Sequence, residues 1–273
     1  MTVELQVVLP DESPAMPPDR LAELAALAER IGYRVAWLPD HLLPPGEYGP
    51  DRYGGVYEPL VTLAYLAAHT TEIGLGTSVL VLPMRSPFVV AKQAATLDRI
   101  SGGRLTLGVG IGWDRVEFAA VGADFDTRGV RANEAIALLR HLFSGAEGGF
   151  EGKFYGYGVG VFEPKPHRDI PIMVGGTSGP ALRRAATLAD EWQAIGLTPA
   201  EFGAHLTRLR ALADRRVKAS IRITWAGDPN RLSATADEVH AYAEAGAEAV
   251  AVWFSPEQGF EDRMAAFAEA VRR

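Results

Sequence analysis

Eight times along the chain a short β-rich run gives way to a segment whose apolar residues recur at helical spacing. The first pair sets the pattern. Residues 3–9 are rich in β-formers, and residues 18–31 then place Leu21, Leu24, Ala25, Ala28 and Ile31 on one helical face. Gly32 follows, where a helix C-terminus favours a residue free to take positive φ. Further strands are predicted over 33–38, 73–82, 104–109, 171–174, 191–195, 217–225 and 249–254. Helices are predicted over 58–70, 87–100, 115–121 with 130–143, 180–188, 199–214, 235–245 and 261–271. Residues 150–162, rich in Gly, Tyr and Phe, read as a hairpin or irregular excursion.

Eight such units in about 250 residues are the pattern of a (β/α)8 TIM barrel. The expected architecture is one domain over residues 1–273 with short insertions. The competing doubly wound sheet normally carries a glycine fingerprint after its first strand. Here the first strand ends Leu9-Pro10-Asp11-Glu12, without glycine, and Gly108-Val109-Gly110-Ile111-Gly112 lacks the GxGxxG spacing. With 48% apolar residues the 273-residue chain can bury a sizeable core.

Composition then removes function classes. The net charge is −7 and no Lys/Arg-rich run occurs, so neither nucleic acid nor an anionic membrane is an expected partner. The chain has no cysteine, which excludes disulfides, thiolate metal sites and a Cys nucleophile. His69, His141, His167, His205 and His240 fall away from strand ends and form no HxxxH spacing, so no metal is expected. No GxSxG marks a serine hydrolase. No apolar run nears the ~18 residues of a membrane span, and the first ten residues do not read as a secretory signal. The expected setting is cytoplasmic.

In a barrel, chemistry sits at the C-terminal ends of the strands and in the loops that follow. Strand two ends in Asp40-His41, the one His–carboxylate neighbour pair at a strand end. Histidine exchanges protons near neutral pH; the alternative is a capping Asp beside a solvated His. Strand three ends around Ser78 and Val79, and strand four in Gly110-Ile111-Gly112-Trp113. Strand five ends in Gly175-Gly176-Thr177-Ser178, ahead of a helix with Pro180 in its first turn. Free amides and the positive end of that helix suit a phosphate; the alternative is a tight turn with a Ser/Thr cap. Arg104 precedes strand four and so belongs to the opposite face, where an ion pair with Asp98 is expected. Of the five tryptophans, one or two are expected to wall a flat cofactor and the rest to fill the core.

Residues 75–118, LGTSVLVLPMRSPFVVAKQAATLDRISGGRLTLGVGIGWDRVEF, with the supporting stretches 28–45, 162–166 and 171–192, resemble the bacterial luciferase-like monooxygenase superfamily, in its branch that uses deazaflavin F420. The resemblance implies an oxidoreductase with F420, or FMN as the alternative, lying across the barrel mouth. It implies a non-proline cis peptide at Ser78–Val79 supporting the ring, Asp40 and His41 bordering it, and Gly110, Ile111 and Gly112 lying along it. It implies the phosphate on Gly175, Gly176, Thr177 and Ser178. The sugar-phosphate dehydrogenase branch has Glu where this chain has Trp113, which removes that proton donor and leaves His41, positioned by Asp40, as the proton-transfer group. The expected reaction is hydride transfer between F420 and a small-molecule substrate; with FMN, it is a two-component monooxygenase using reduced flavin and oxygen. A homodimer is expected. Pocket specificity is expected to rest on the loops 43–56, 113–131 and 150–162.

Overall fold

The computed structural model describes residues 3–10, 16–43, 57–254 and 258–273. In chain order the strands are β1 (Glu4–Val8), β2 (Val35–Leu38), β3 (Gly74–Thr77), β4 (Leu80–Val81), β5 (Leu105–Gly110), β6 (Phe150–Glu151), β7 (Gly156–Tyr157), β8 (Ile172–Gly175), β9 (Glu191–Ile195), β10 (Lys218–Thr224) and β11 (Ala249–Trp253). β6 and β7 form a separate antiparallel hairpin, as the Gly/Tyr/Phe excursion predicts. The others are parallel. β1 pairs with both β2 and β11, and β3 pairs with β5, so the sheet closes on itself as a TIM barrel.

The third staves of the barrel are broken. β3 pairs Leu75 with Leu105 and Gly76 with Thr106; β4 resumes by pairing Leu80 with Val109 and Val81 with Gly110. Between these pairings the β3–β4 side holds one more residue than β5, a bulge. The Ser78–Val79 peptide inside it is cis, as the resemblance implies.

The helices are α1 (Pro18–Ile31), α2 (Pro59–His69), α3 (Pro87–Ile100), α4 (Arg115–Ala120), α5 (Arg128–Ser144), α6 (Gly179–Leu188), α7 (Pro199–Leu212), α8 (Leu232–Glu244) and α9 (Phe260–Arg272). Their boundaries follow local chemistry. Proline occupies the first turn of α1, α2, α3, α6 and α7, where its missing N–H costs nothing. Thr198 and Glu201 form a reciprocal capping box on α7. Gly32, at φ 99°, ends α1. α1 buries its small and apolar side, Leu21, Ala22, Leu24, Ala25 and Ala28. Among the described residues no helix is long and apolar enough to cross a membrane.

A second, smaller core fills the barrel itself: Val8, Trp37, Met173 and Ala251, with Val79 and Trp253 packed partly against it. Trp37 is fully buried and donates Nε1–H to Gln6 Oε1 at 2.8 Å. Glycine makes room for these side chains. A Cβ at Gly76 would lie 2.2 Å from the Trp37 ring, and one at Gly108 would lie 1.9 Å from the Thr77 carbonyl oxygen. This plug fills the barrel's interior.

Arg104 does sit on the opposite face, but the expected pair with Asp98 does not form. Its guanidinium donates to the carbonyls of Ala67, Thr70, Ile73 and Ser101 and to Thr70 Oγ1. Asp98 Oδ2 instead accepts from the amides of His167 and Arg168, at 2.7 and 3.2 Å. The end of α2 presents a cluster of carbonyls without helical partners, and the five-donor guanidinium satisfies several at once.

Candidate active site

A cavity of about 500 Å³ opens at the C-terminal mouth of the barrel. This lies within the ordinary range of small-molecule sites. Its walls bring together Asp40, His41, Ser78, Val79, Gly110, Ile111, Gly112, Gly175 and Gly176, contributed by the ends of β2, β3, β5 and β8. Trp113 and Trp253 also line it, while Trp37 and Trp192 are fully buried and Trp225 nearly so. Two tryptophans thus line the cavity and three lie in the core. Residues 44–56, nearly all of the first of the three loops expected to set specificity, lie outside the described residues.

Val79 lies at the centre of the wall. A Cβ at Gly110 would lie 2.4 Å from its Cγ2, and a Cβ at Gly175 would lie 2.7 Å from its Cγ1. The glycines at the ends of β5 and β8 thus accommodate Val79, which the bulge turns between them. Ser78 Oγ donates to Gln193 Oε1 at 2.6 Å, and Arg222 Nη1 donates to the Ser78 carbonyl at 2.9 Å. Gln193 and Arg222, on β9 and β10, also line the cavity. Gln193 Nε2 is buried with no hydrogen-bond partner among the described residues.

Asp40 and His41 part company, which corrects the expectation that one positions the other. The Asp40 carboxylate accepts from Arg85 Nη2 at 2.6 Å, Arg85 Nε at 3.2 Å and the Val81 amide at 2.8 Å. Arg85 Nη1 continues to Glu58 Oε1 at 2.7 Å, and Glu58 Oε2 caps α2. Asp40 is committed to holding β4 in place beyond the bulge. A fork-on-carboxylate pair with a backbone amide fills most of its acceptor positions.

The partner of His41 comes from α4. Glu117 Oε2 lies 3.2 Å from His41 Nδ1, while Oε1 accepts the amides of Leu42 at 2.5 Å and Leu43 at 2.9 Å. Glu117 is 2% exposed. The His41 ring also meets Trp113 edge to face, with centroids 6.3 Å apart. The sequence offered one signal for Glu117: a carboxylate in the first turn of a helix just after the strand-four turn. Nothing in the one-dimensional pattern linked it to a loop more than seventy residues earlier. Arg85 was missed for the same reason.

The turn after β8 differs from the simple phosphate cradle. The Gly176 amide donates to the Gln193 carbonyl at 3.2 Å, and the Gly176 carbonyl accepts from Trp192 Nε1. Ser178 Oγ caps α6 through the Ala181 amide. The amides of Thr177 and Ser178 have no backbone acceptor among the described residues. Thr177 and Ser178 stand outside the cavity lining, so any anion contact there belongs to the rim. Gly176 has φ 114°, so a β-branched replacement is strained whatever it binds.

The sequence profile described as luciferase-like monooxygenase matches residues 3–272. The chain belongs to that family, and it is an oxidoreductase. An uncharacterized protein of Mycobacterium tuberculosis is 37% identical over 209 residues, covering 72% of each chain. An F420-dependent glucose-6-phosphate dehydrogenase of Nakamurella multipartita is 32% identical over 212 residues, which is 76% of this chain and 60% of that one. Among solved structures, an F420-dependent secondary alcohol dehydrogenase in complex with an F420-acetone adduct superposes with a TM-score of 0.84 at 18% identity, over the full length of both chains. At that identity the superposition speaks to the fold.

Proposed function

We propose that this protein transfers a hydride between deazaflavin F420 and a small organic substrate. The cavity at the barrel mouth carries the reading: apolar walls for a flat ring, with an imidazole–carboxylate pair beside them. The family and the F420-dependent relatives support it. The residues fit such a ring. Val79, Ile111 and Trp253 offer apolar surface, and the orphaned Gln193 Nε2 and the Arg222 guanidinium are donors set in the same wall. The cofactor, when bound, supplies the hydride chemistry. Ser78, Val79, Gly110, Ile111, Gly112, Gly175 and Gly176 would flank it, with the Thr177 and Ser178 amides available to its phosphate. His41 would exchange a proton with the substrate, and the apolar walls would keep water out. Asp40 shapes the wall through Val81 and Arg85. Trp113 is a neutral aromatic surface, which favours a substrate other than a sugar phosphate.

Fluorescence titration with F420 and with FMN tests this reading. Tight F420 binding with weak FMN binding is expected. The reverse pattern would replace it with an FMN-dependent, two-component monooxygenase.

A further inference from the structure

We propose that Glu117 is a positioning residue that decides which nitrogen of His41 carries the proton. The inference rests on the reading of His41 as the proton-transfer group. An ionised carboxylate only accepts, so the ring nitrogen facing it must donate. Glu117 Oε1 is taken by two backbone amides, at 2.5 and 2.9 Å, and Oε2 faces His41 Nδ1 at 3.2 Å. The neutral imidazole is therefore held as the Nδ1–H tautomer. Nε2 is then the nitrogen with the lone pair, the atom at which the proposed exchange would take a proton from a hydroxyl or, once charged, return it to a carbonyl oxygen. The same carboxylate fastens the start of the loop after β2 to the helix after β5. One buried carboxylate thus holds the Nδ1 side of the imidazole and the chain that carries it.

Glu117→Gln separates this role from plain structural support. The carboxamide has one acceptor oxygen and one NH2 group. Leu42 and Leu43 converge on a single oxygen, so they retain the carboxamide oxygen and the NH2 turns towards His41. Nδ1 must then accept, and the proton moves to Nε2.

Long-range 15N–1H correlation spectra of 15N-histidine-labelled protein, without cofactor and at a pH where the imidazole is neutral, read the tautomer directly. His41→Gln identifies the signal by its loss. The parent is expected as Nδ1–H and Glu117→Gln as Nε2–H. With F420 and a turned-over substrate, the Gln variant is expected to lose about 10²–10⁴ in kcat, the scale of a mispositioned proton-transfer group, with F420 affinity within a few-fold of the parent. A parent Nε2–H tautomer overturns the proposal even if the variant does not fold. An unchanged tautomer in a folded Glu117→Gln protein, or an unchanged kcat, overturns it too. An inverted tautomer in a protein that binds no F420 supports the role of Glu117 and counts against the cofactor reading alone.

Discussion

Val79 has its place because Gly110 and Gly175 lack side chains, and that dependence is testable. Gly110→Ala would put a methyl 2.4 Å from Val79 Cγ2, so the valine must move into the cavity or the strands must part. The expected cost is about 1–3 kcal/mol in urea unfolding, as for other overpacked sites, together with weaker cofactor binding. Arg85 acts at the same scale. Its removal strands the Asp40 carboxylate, whose side chain is fully buried. Arg85→Met is expected to cost about 3–5 kcal/mol, the usual penalty for leaving one member of a buried pair alone. A change below 1 kcal/mol in the urea midpoint analysis would show that water reaches Asp40.

At the scale of an element, the start of β9 places two carboxylates in opposite circumstances. Burial alone would raise the pKa of Asp190, but Arg140, the Ile172 amide and Arg215 outweigh it and hold the carboxyl below its ordinary range. Its stabilising share is present above the unfolded pKa and is lost as pH falls through the lowered one. Burial pushes the neighbouring Glu191 up, against the pull of Lys218 and the Ser220 hydroxyl. Its share is complete below the unfolded pKa and is lost as pH rises through the raised one. Urea unfolding at a series of pH values should therefore separate the two. Asp190→Asn is expected to be less stable than the parent near neutrality, with the gap closing in acid. Glu191→Gln is expected to gain on the parent as pH rises.

The whole molecule divides its labour between two ends. Arg104 and its carbonyl cluster sit at the N-terminal face, and the cavity sits at the other. Arg104→Met is expected to destabilise the fold by about 2–4 kcal/mol, through carbonyls left without donors. F420 affinity of the folded variant should be unchanged. An altered affinity would mean that the two faces communicate through the barrel plug.

Much of this protein is written along its chain. The eightfold alternation determines the barrel, because strand and helix periods are local properties and a closed parallel sheet is their economical packing. The strand ends locate the mouth, since connectivity dictates which end of each strand feeds a βα loop. His41, Ser78, Val79 and the glycines of β5 and β8 were legible on those grounds or through the family resemblance. What the tertiary structure alone decided is partnership. Asp40 joins Arg85 across 45 positions, His41 joins Glu117 across 76, and Ser78 joins Gln193 across 115. Barrel closure sets those distances, and a short-range pattern carries no information about them. The adjacency of Asp40 and His41 misled for the same reason: Asp40 pairs with Arg85 beyond β4, and His41 with Glu117 on α4.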